Sequence, residues 1–223
     1  ASSNTVLVGK TVSVSLNGGA AVTSGVTGAG GQFSTGNFNL TGGSIMTVYL
    51  DGETEKAVTL TIGSGSSMTG INLYQNKLVT RSPNRDVTLS DLDIADNNGD
   101  SDISSVYTVG SSQLTINNNG ELHIWTGSTL DLGNSATSSG TTTVDGTLNI
   151  GTGTWTHSGS ITNNGSIIYA GSLWNASGTI TNVKRSNFNY RSNTGIQNIK
   201  NVSYGNLIIG STNDAEFRIT SVL

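Results

Sequence analysis

Two short stretches of the chain carry residues able to do chemistry. The first is Glu121-Leu122-His123-Ile124-Trp125. Side chains alternate across a strand, so if Leu122 and Ile124 point inward, Glu121, His123 and Trp125 share the outward face. An exposed indole beside a carboxylate and an imidazole can stack on a sugar ring and hydrogen-bond its hydroxyls. Asp131 and Asn149 are expected to extend this polar row onto the following coils. The competing reading has Trp125 turning a corner and packing against a loop.

The second stretch is acidic. Asp86 to Asp102 holds six of the fourteen carboxylates, and Asp96, Asn98, Asp100 and Asp102 place oxygen ligands at alternate positions, the kind of donor a hard calcium ion takes. The segment lacks the glycine placement and distal glutamate of an EF-hand loop. A solvated loop of turn-forming Asn and Asp is the alternative. Calcium is the one cofactor the sequence suggests.

Catalytic sets are harder to find. Asp51, Glu53 and Glu55 near Lys56, or Lys184 and Arg185 near Arg191, are pieces that a glycan lyase or hydrolase would pair across neighbouring coils. Neither forms a motif. His123 and His157 lack a nucleophile elbow around any serine, and no phosphate loop or metal-spaced histidine pair occurs. Asn39, Asn164, Asn175 and Asn201 each open an Asn-x-Ser/Thr triplet, which matters only in a glycosylating host.

The elements that must position these residues are strands. Trp155-Thr156-His157-Ser158-Gly159-Ser160-Ile161-Thr162-Asn163 returns nineteen residues later as Trp174-Asn175-Ala176-Ser177-Gly178-Thr179-Ile180-Thr181-Asn182, with six of nine positions identical. Leu130, Leu148 and Ile167 keep spacings of eighteen and nineteen. A fixed period of this size is the signature of a solenoid. Stacked coils would place Trp on Trp, Ile on Ile and Asn on Asn, with glycines at the corners supplying unusual dihedrals. Eleven or twelve coils would fill the chain, about 223 residues over 19, and make a rod of roughly 55 Å.

Residues 86–223 are read as regular coils. Residues 1–85 fit the period less well and are either an irregular start to a single elongated solenoid, the favoured reading, or a small β-sandwich before it. Leu60-Thr61-Ile62, Val87-Thr88-Leu89 and Leu92-Asp93-Ile94 are read as coil-sized strands. Helix signals are almost missing.

Composition agrees and excludes other classes. Only 11% of residues are charged, against roughly 25% in ordinary globular proteins, and 30 glycines with many Ser, Thr and Asn fill the gap. Ten basic residues and a net charge of −4 cannot build a cationic footprint for nucleic acid. No apolar run reaches the ~18 residues of a membrane span, so membrane insertion is not expected. The absence of cysteine excludes a disulfide scaffold, a thiolate metal site and cysteine catalysis. The opening Ala1-Ser2-Ser3-Asn4 suits a mature chain or an excised fragment.

Gly120-Glu121-Leu122-His123-Ile124, Gly127-Ser128-Thr129-Leu130-Asp131-Leu132 and Gly146-Thr147-Leu148-Asn149-Ile150 resemble the repeat arrays of large secreted bacterial surface proteins, the filamentous haemagglutinin-like and autotransporter-like β-helices. Gly195-Ile196-Gln197-Asn198-Ile199 and Tyr204-Gly205-Asn206-Leu207-Ile208-Ile209-Gly210 are similar to a segment recurring in very long exported bacterial proteins. The resemblance covers about residues 85–223. It implies an all-β, right-handed parallel β-helix with coils of about 18–20 residues and an extracellular, adhesive or structural role.

The sequence therefore predicts a noncatalytic stalk, filament subunit or adhesin module that contacts glycans or surfaces. A β-helical polysaccharide lyase or hydrolase is the alternative. Rows such as Thr141-Thr142-Thr143 and Thr152, Thr154, Thr156 raise ice binding as a third reading, against which stands the lack of a Thr-x-Thr recurring at the coil period. The final Ile219-Thr220-Ser221-Val222-Leu223 carries no polar cap, so end-to-end pairing with more protein or another chain is expected there.

Overall fold

In the computed structural model, residues 6–171, 174–192, 196–200, 202–211 and 216–220 are described. The chain is a β-solenoid of about seven turns with 6% helix. The N-terminal part runs β1 (Thr11–Leu16), β2 (Ala21–Val26), β3 (Ile45–Leu50), β4 (Val58–Ile62), β5 (Lys77–Thr80) and β6 (Val87–Thr88). Helices α1 (Leu89–Asp96) and α2 (Ser101–Ser104) follow, then β7 (Tyr107–Gly110).

The coils proceed through β8 (Gln113–Ile116), β9 (Glu121–Ile124), β10 (Thr129–Asp131), β11 (Ser135–Ser138), β12 (Thr142–Val144), β13 (Thr147–Gly151), β14 (Trp155–His157), β15 (Ile161–Asn163), β16 (Ser166–Tyr169), β17 (Trp174–Ala176) and β18 (Ile180–Asn182). The last strands are β19 (Asn187–Ser192), β20 (Ile196–Lys200), β21 (Asn206–Ser211) and β22 (Glu216–Thr220).

Each regular coil is a triangle. Its three strands go in turn to a five-stranded, a nine-stranded and a six-stranded sheet, with β20 and β22 paired separately. Equivalent strands stack in parallel and in register, as with Ala136 on Trp155, Thr142 on Ile161 and Leu148 on Ile167. Every one of these offsets is nineteen residues. The inward positions (Leu114, Leu122, Ile124, Leu130, Val144, Leu148, Ile161, Ile167) are buried and alternate with half-exposed polar neighbours, so one face of each strand fills a common core.

Ladders form as the repeat requires. Ile161 pairs with Ile180, and buried Asn163 donates through Nδ2 to Asn182 Oδ1 at 3.0 Å and to the Asn187 carbonyl at 3.0 Å. Trp155 and Trp174 are register partners, but the Trp174 side chain lies outside the described residues. Trp155 itself is core, meeting the buried His157 ring edge-on at 5.4 Å.

The corner glycines have a different reason from the expected one. Gly140, Gly159 and Gly178 do not have positive φ. They are needed because a Cβ would sit 1.9, 1.7 and 1.5 Å from the carbonyl oxygens of Gly120, Gly140 and Gly159. Successive corners touch backbone to backbone, which only glycine permits.

The N-terminal half departs from the coil reading, and this is why about seven turns form where eleven or twelve were expected. Strands β1 to β4 pair antiparallel in the order β2-β1-β3-β4, and β5 then starts the parallel stack on β4. They extend the nine-stranded sheet. Strand β3 is buried on both faces: Ile45 and Tyr49 join the main core, and Met46, Val48 and Leu50 join a second one.

The segment from Leu89 is helical, correcting the strand expected over Leu92-Asp93-Ile94. Thr88 caps α1 through a box, its Oγ1 accepting from the Asp91 amide at 3.2 Å while Asp91 Oδ2 accepts from the Thr88 amide at 2.8 Å. The helices bury Leu92, Ala95 and Ile103 in the main core, beneath the first regular coil. Among the described residues no helix is long and apolar enough to cross a membrane.

Candidate functional site

The outward face of the nine-stranded sheet collects the densest set of unlike side chains. Leu122 and Ile124 are buried, so Glu121 and His123 face outward on β9 and Trp125 follows at its end, as alternation predicts. Lys77 of β5 lies opposite Glu121, and its ammonium pairs with that carboxylate at 2.6 Å. Thr143, one coil on, donates to Glu121 Oε1 at 2.8 Å. His123 Nε2 lies 2.8 Å from Asp145 Oδ2, and Asn164 donates to Asp145 Oδ1 at 2.7 Å. Burial opposes the ionisation of Asp145, but the Asn164 amide, His123 and the Lys77 charge outweigh it and hold the carboxyl below its usual range.

Tyr74 completes the set. Its ring lies 6.3 Å from Trp125 with planes 25° apart and 6.3 Å from His123, while His123 and Trp125 are 5.4 Å apart. Lys77 sits 5.7 Å from the Tyr74 ring centre. Tyr74 belongs to the segment joining β4 to β5, so Trp125 does pack against a loop residue. It stays partly exposed, and the packing builds an aromatic platform of three rings.

Beyond the platform the same face continues as hydroxyls. The strand register places Thr141, Ser160 and Thr179 in one row and Thr143, Thr162 and Thr181 in the next. A strict Thr-x-Thr does not recur, because Ser160 interrupts it, but a hydroxyl-x-Thr pattern does at the nineteen-residue period. All six are half-exposed or exposed.

Asp131 is not part of this face. The turn after Trp125, closed by the Ser128 amide on the Trp125 carbonyl at 3.0 Å, carries the chain to the six-stranded sheet, where Asp131 pairs with Asn149. The expected row is thus two rows on two faces.

The calcium ligand set is also not assembled as expected. Asp96 Oδ2 accepts from the Val109 amide at 3.0 Å, and Asn98 Oδ1 accepts from the Asp100 amide at 2.6 Å. Asp100 caps α2 by accepting from the Asp102 amide at 2.8 Å, so one oxygen each of Asp96, Asn98 and Asp100 is held by a backbone amide. Asp100 and Asp102 instead meet Asp51, with carboxylate oxygens within 4.8 Å of one another. Here Lys56 bonds Asp102, the Gly52 amide donates to Asp102 at 2.5 Å, Ser13 donates to Asp51 at 2.6 Å, and Tyr49 hydrogen-bonds Asp100. Donors on this chain already serve that cluster.

The proposed catalytic pieces are similarly engaged or scattered. Glu53 and Glu55 are both held by Lys10, at 3.2 and 2.7 Å. Lys184, Arg185 and Arg191 are exposed. His157 is buried with its Nε2 3.0 Å from Thr142 Oγ1.

Asn39 and Asn164 are exposed, whereas the side chains of Asn175 and Asn201 lie outside the described residues. Sequence reasoning found Glu121, His123 and Trp125 by alternation. It missed Tyr74, Lys77 and Asp145, which come from other coils and a loop.

Compared with known proteins, the chain matches no family model, no curated protein and no solved structure.

Proposed function

We propose that the chain is an extracellular, noncatalytic adhesive module, of the kind its bacterial surface-protein resemblance implies, that holds extended glycans across the nine-stranded sheet. The observation that carries this reading is the Tyr74–His123–Trp125 platform continuing into two hydroxyl rows. Aromatic rings offer stacking area at small entropic cost, and Ser/Thr rows offer many weak hydrogen bonds that add along a polymer. A glycan array followed by calorimetry tests it. Wild type should bind a subset of oligosaccharides without shortening them, and Trp125→Ala should weaken that binding about tenfold or more. Product release from the bound polysaccharide would favour the lyase or hydrolase alternative.

The regular hydroxyl rows support a second reading, binding to ice. An ice-recrystallisation assay separates the two: inhibition of ice growth by a chain that binds no oligosaccharide would favour the ice reading.

End-to-end pairing is a further part of the proposal. Leu207 and Ile209 stand in register with buried Phe188 and Tyr190, yet are 38% and 48% exposed on edge strand β21. Paired β-structure would cover them. Sedimentation of wild type against a Leu207→Lys, Ile209→Lys variant should show association lost in the variant.

A further inference from the structure

The platform and the hydroxyl rows form one straight track. Strand pairing puts His123, Thr143, Thr162 and Thr181 in a single line, one residue per coil. The same register sets Glu121, Thr141, Ser160 and Thr179 along one side of it. Trp125, Asp145 and Asn164, which follow the paired residues Ile124, Val144 and Asn163, border the other side. The central rungs open toward the C-terminal end, with Thr143 and Thr162 half-buried and Thr181 exposed.

Spacing gives the track a direction and a length. Coils stack about 4.8 Å apart, close to the advance of one ring along an extended β-1,4-linked sugar chain. A polymer lying along the axis therefore meets the same kind of hydrogen-bonding group at every ring. One lying across it runs off a single short strand into a glycine corner, Gly140 or Gly146. The line starts at His123, because its register partner on β5 is the buried Val79. It ends at Thr181 on β18, the last strand of that sheet. One platform and three rungs make about four ring-sized places.

Charge narrows the occupant further. Lys77, the cation at the platform, is already paired with Glu121. Asp145 keeps its charge, because Asn164, His123 and Lys77 hold its carboxyl below the usual range. Its two oxygens take one partner each, His123 and Asn164, and a carboxylate oxygen can accept a second hydrogen bond. A sugar hydroxyl can donate there, whereas a carboxylate or sulfate on the same ring is repelled. Lys184 and Arg185 lie in the corner after β18, and Arg185 opens on a cleft toward Ser166 and Asn187 that reaches the track only at its Asp145–Asn164 border.

We propose that the track takes an uncharged, extended β-1,4-linked glycan lying along the solenoid axis, one ring on the platform and about three on the rungs. The inference rests on the glycan-binding reading and adds the ligand's direction, length and charge.

Calorimetric titration with β-1,4-linked oligomers of glucose, xylose or mannose, graded in length, tests this, with cellouronates as a carboxylated series. At least one neutral series should tighten with each added ring and level off at about four rings. Cellouronates should bind about tenfold or more weakly than that series. Asp145→Asn should narrow the gap by about threefold or more, through tighter cellouronate binding. Thr181 is exposed, so Thr181→Ala leaves the fold intact; it should weaken a four-ring oligomer about threefold and leave a two-ring one unchanged. Three results would each overturn the inference while leaving glycan binding in place: affinity already level at two rings, equal loss at both lengths in Thr181→Ala, or cellouronates binding as tightly as the neutral series. No binding by any neutral series would also overturn it, and a hit elsewhere on the glycan array would then keep the broader reading alone.

Discussion

His157 shows how one buried side chain ties stability to pH. Its ring is 1% exposed, and burial lowers its pKa from 6.5 to about 4. A base with a lowered native pKa takes up its proton more readily in the unfolded chain. Between about pH 6.5 and pH 4 the unfolded state therefore binds the extra proton, and stability falls as pH drops through that window. Above it the contribution is complete. The loss amounts to at most about 3 kcal/mol. The equivalent position of the next coil is Ala176, so the backbone accepts alanine there. Denaturant unfolding of His157→Ala across pH 4–7 should show a flatter profile than wild type, at the cost of a cavity beside Trp155. An unchanged pH slope would mean that another group sets the acid limit.

At the scale of elements, the corners and the helix cap differ in how they fail. Gly159→Ala drives a methyl group against the Gly140 carbonyl oxygen and must push two coils apart, breaking hydrogen bonds on both sides. We expect a loss of about 3 kcal/mol or more, read as a lowered denaturation midpoint. Gly127→Ala meets open space and carries only the strain of φ 75°, about 1 kcal/mol.

The α1 cap is held by two hydrogen bonds that the Arg85 guanidinium donates to the Asp91 carboxylate, at 2.6 and 2.7 Å, as well as by Thr88. Burial opposes the Asp91 charge, yet Arg85 and Thr88 outweigh it and lower its pKa, so this stabilisation is lost as pH falls through the native value. Thr88→Ala should cost about 1 kcal/mol and Asp91→Ala more, because it also strands Arg85.

These elements also mark where sequence stopped being legible. The coils were readable because a nineteen-residue period fixes which side chains point inward. Antiparallel pairing of β1 to β4 was not, since apolar alternation is identical for parallel and antiparallel strands. The helix was missed although Thr88-Leu89-Ser90-Asp91 carries a cap signal, because Val87 and Leu89 also fit a strand. Two of the three platform rings, His123 and Trp125, were visible on and just after β9. Its partners Tyr74 and Asp145 are 49 and 22 residues from His123 at most, and only the stack brings them together.

For the whole molecule, stacking of near-identical coils makes stability a sum of neighbouring interfaces, so a coil should be removable as a unit. Residues 142–160 form one nineteen-residue period, because Thr142 and Ile161 occupy the same position in successive coils. Deleting them joins Thr141 to Ile161, brings Ile161 over Leu122 and Ile167 over Leu130, and keeps apolar residues at both core positions. It also removes Thr142 and His157 together, so neither member of that buried polar pair is stranded. Asn164 then takes the place of Asp145 beside His123, while the hydroxyl rows lose one rung. The shortened chain should fold cooperatively with an unaltered β-type circular dichroism spectrum and a lower midpoint, and bind glycans more weakly without losing selectivity. Deleting only residues 142–150 places a strand of the five-stranded sheet where one of the nine-stranded sheet belongs, and should abolish cooperative folding. Equal tolerance of both deletions would show that the coils do not stack in the register described.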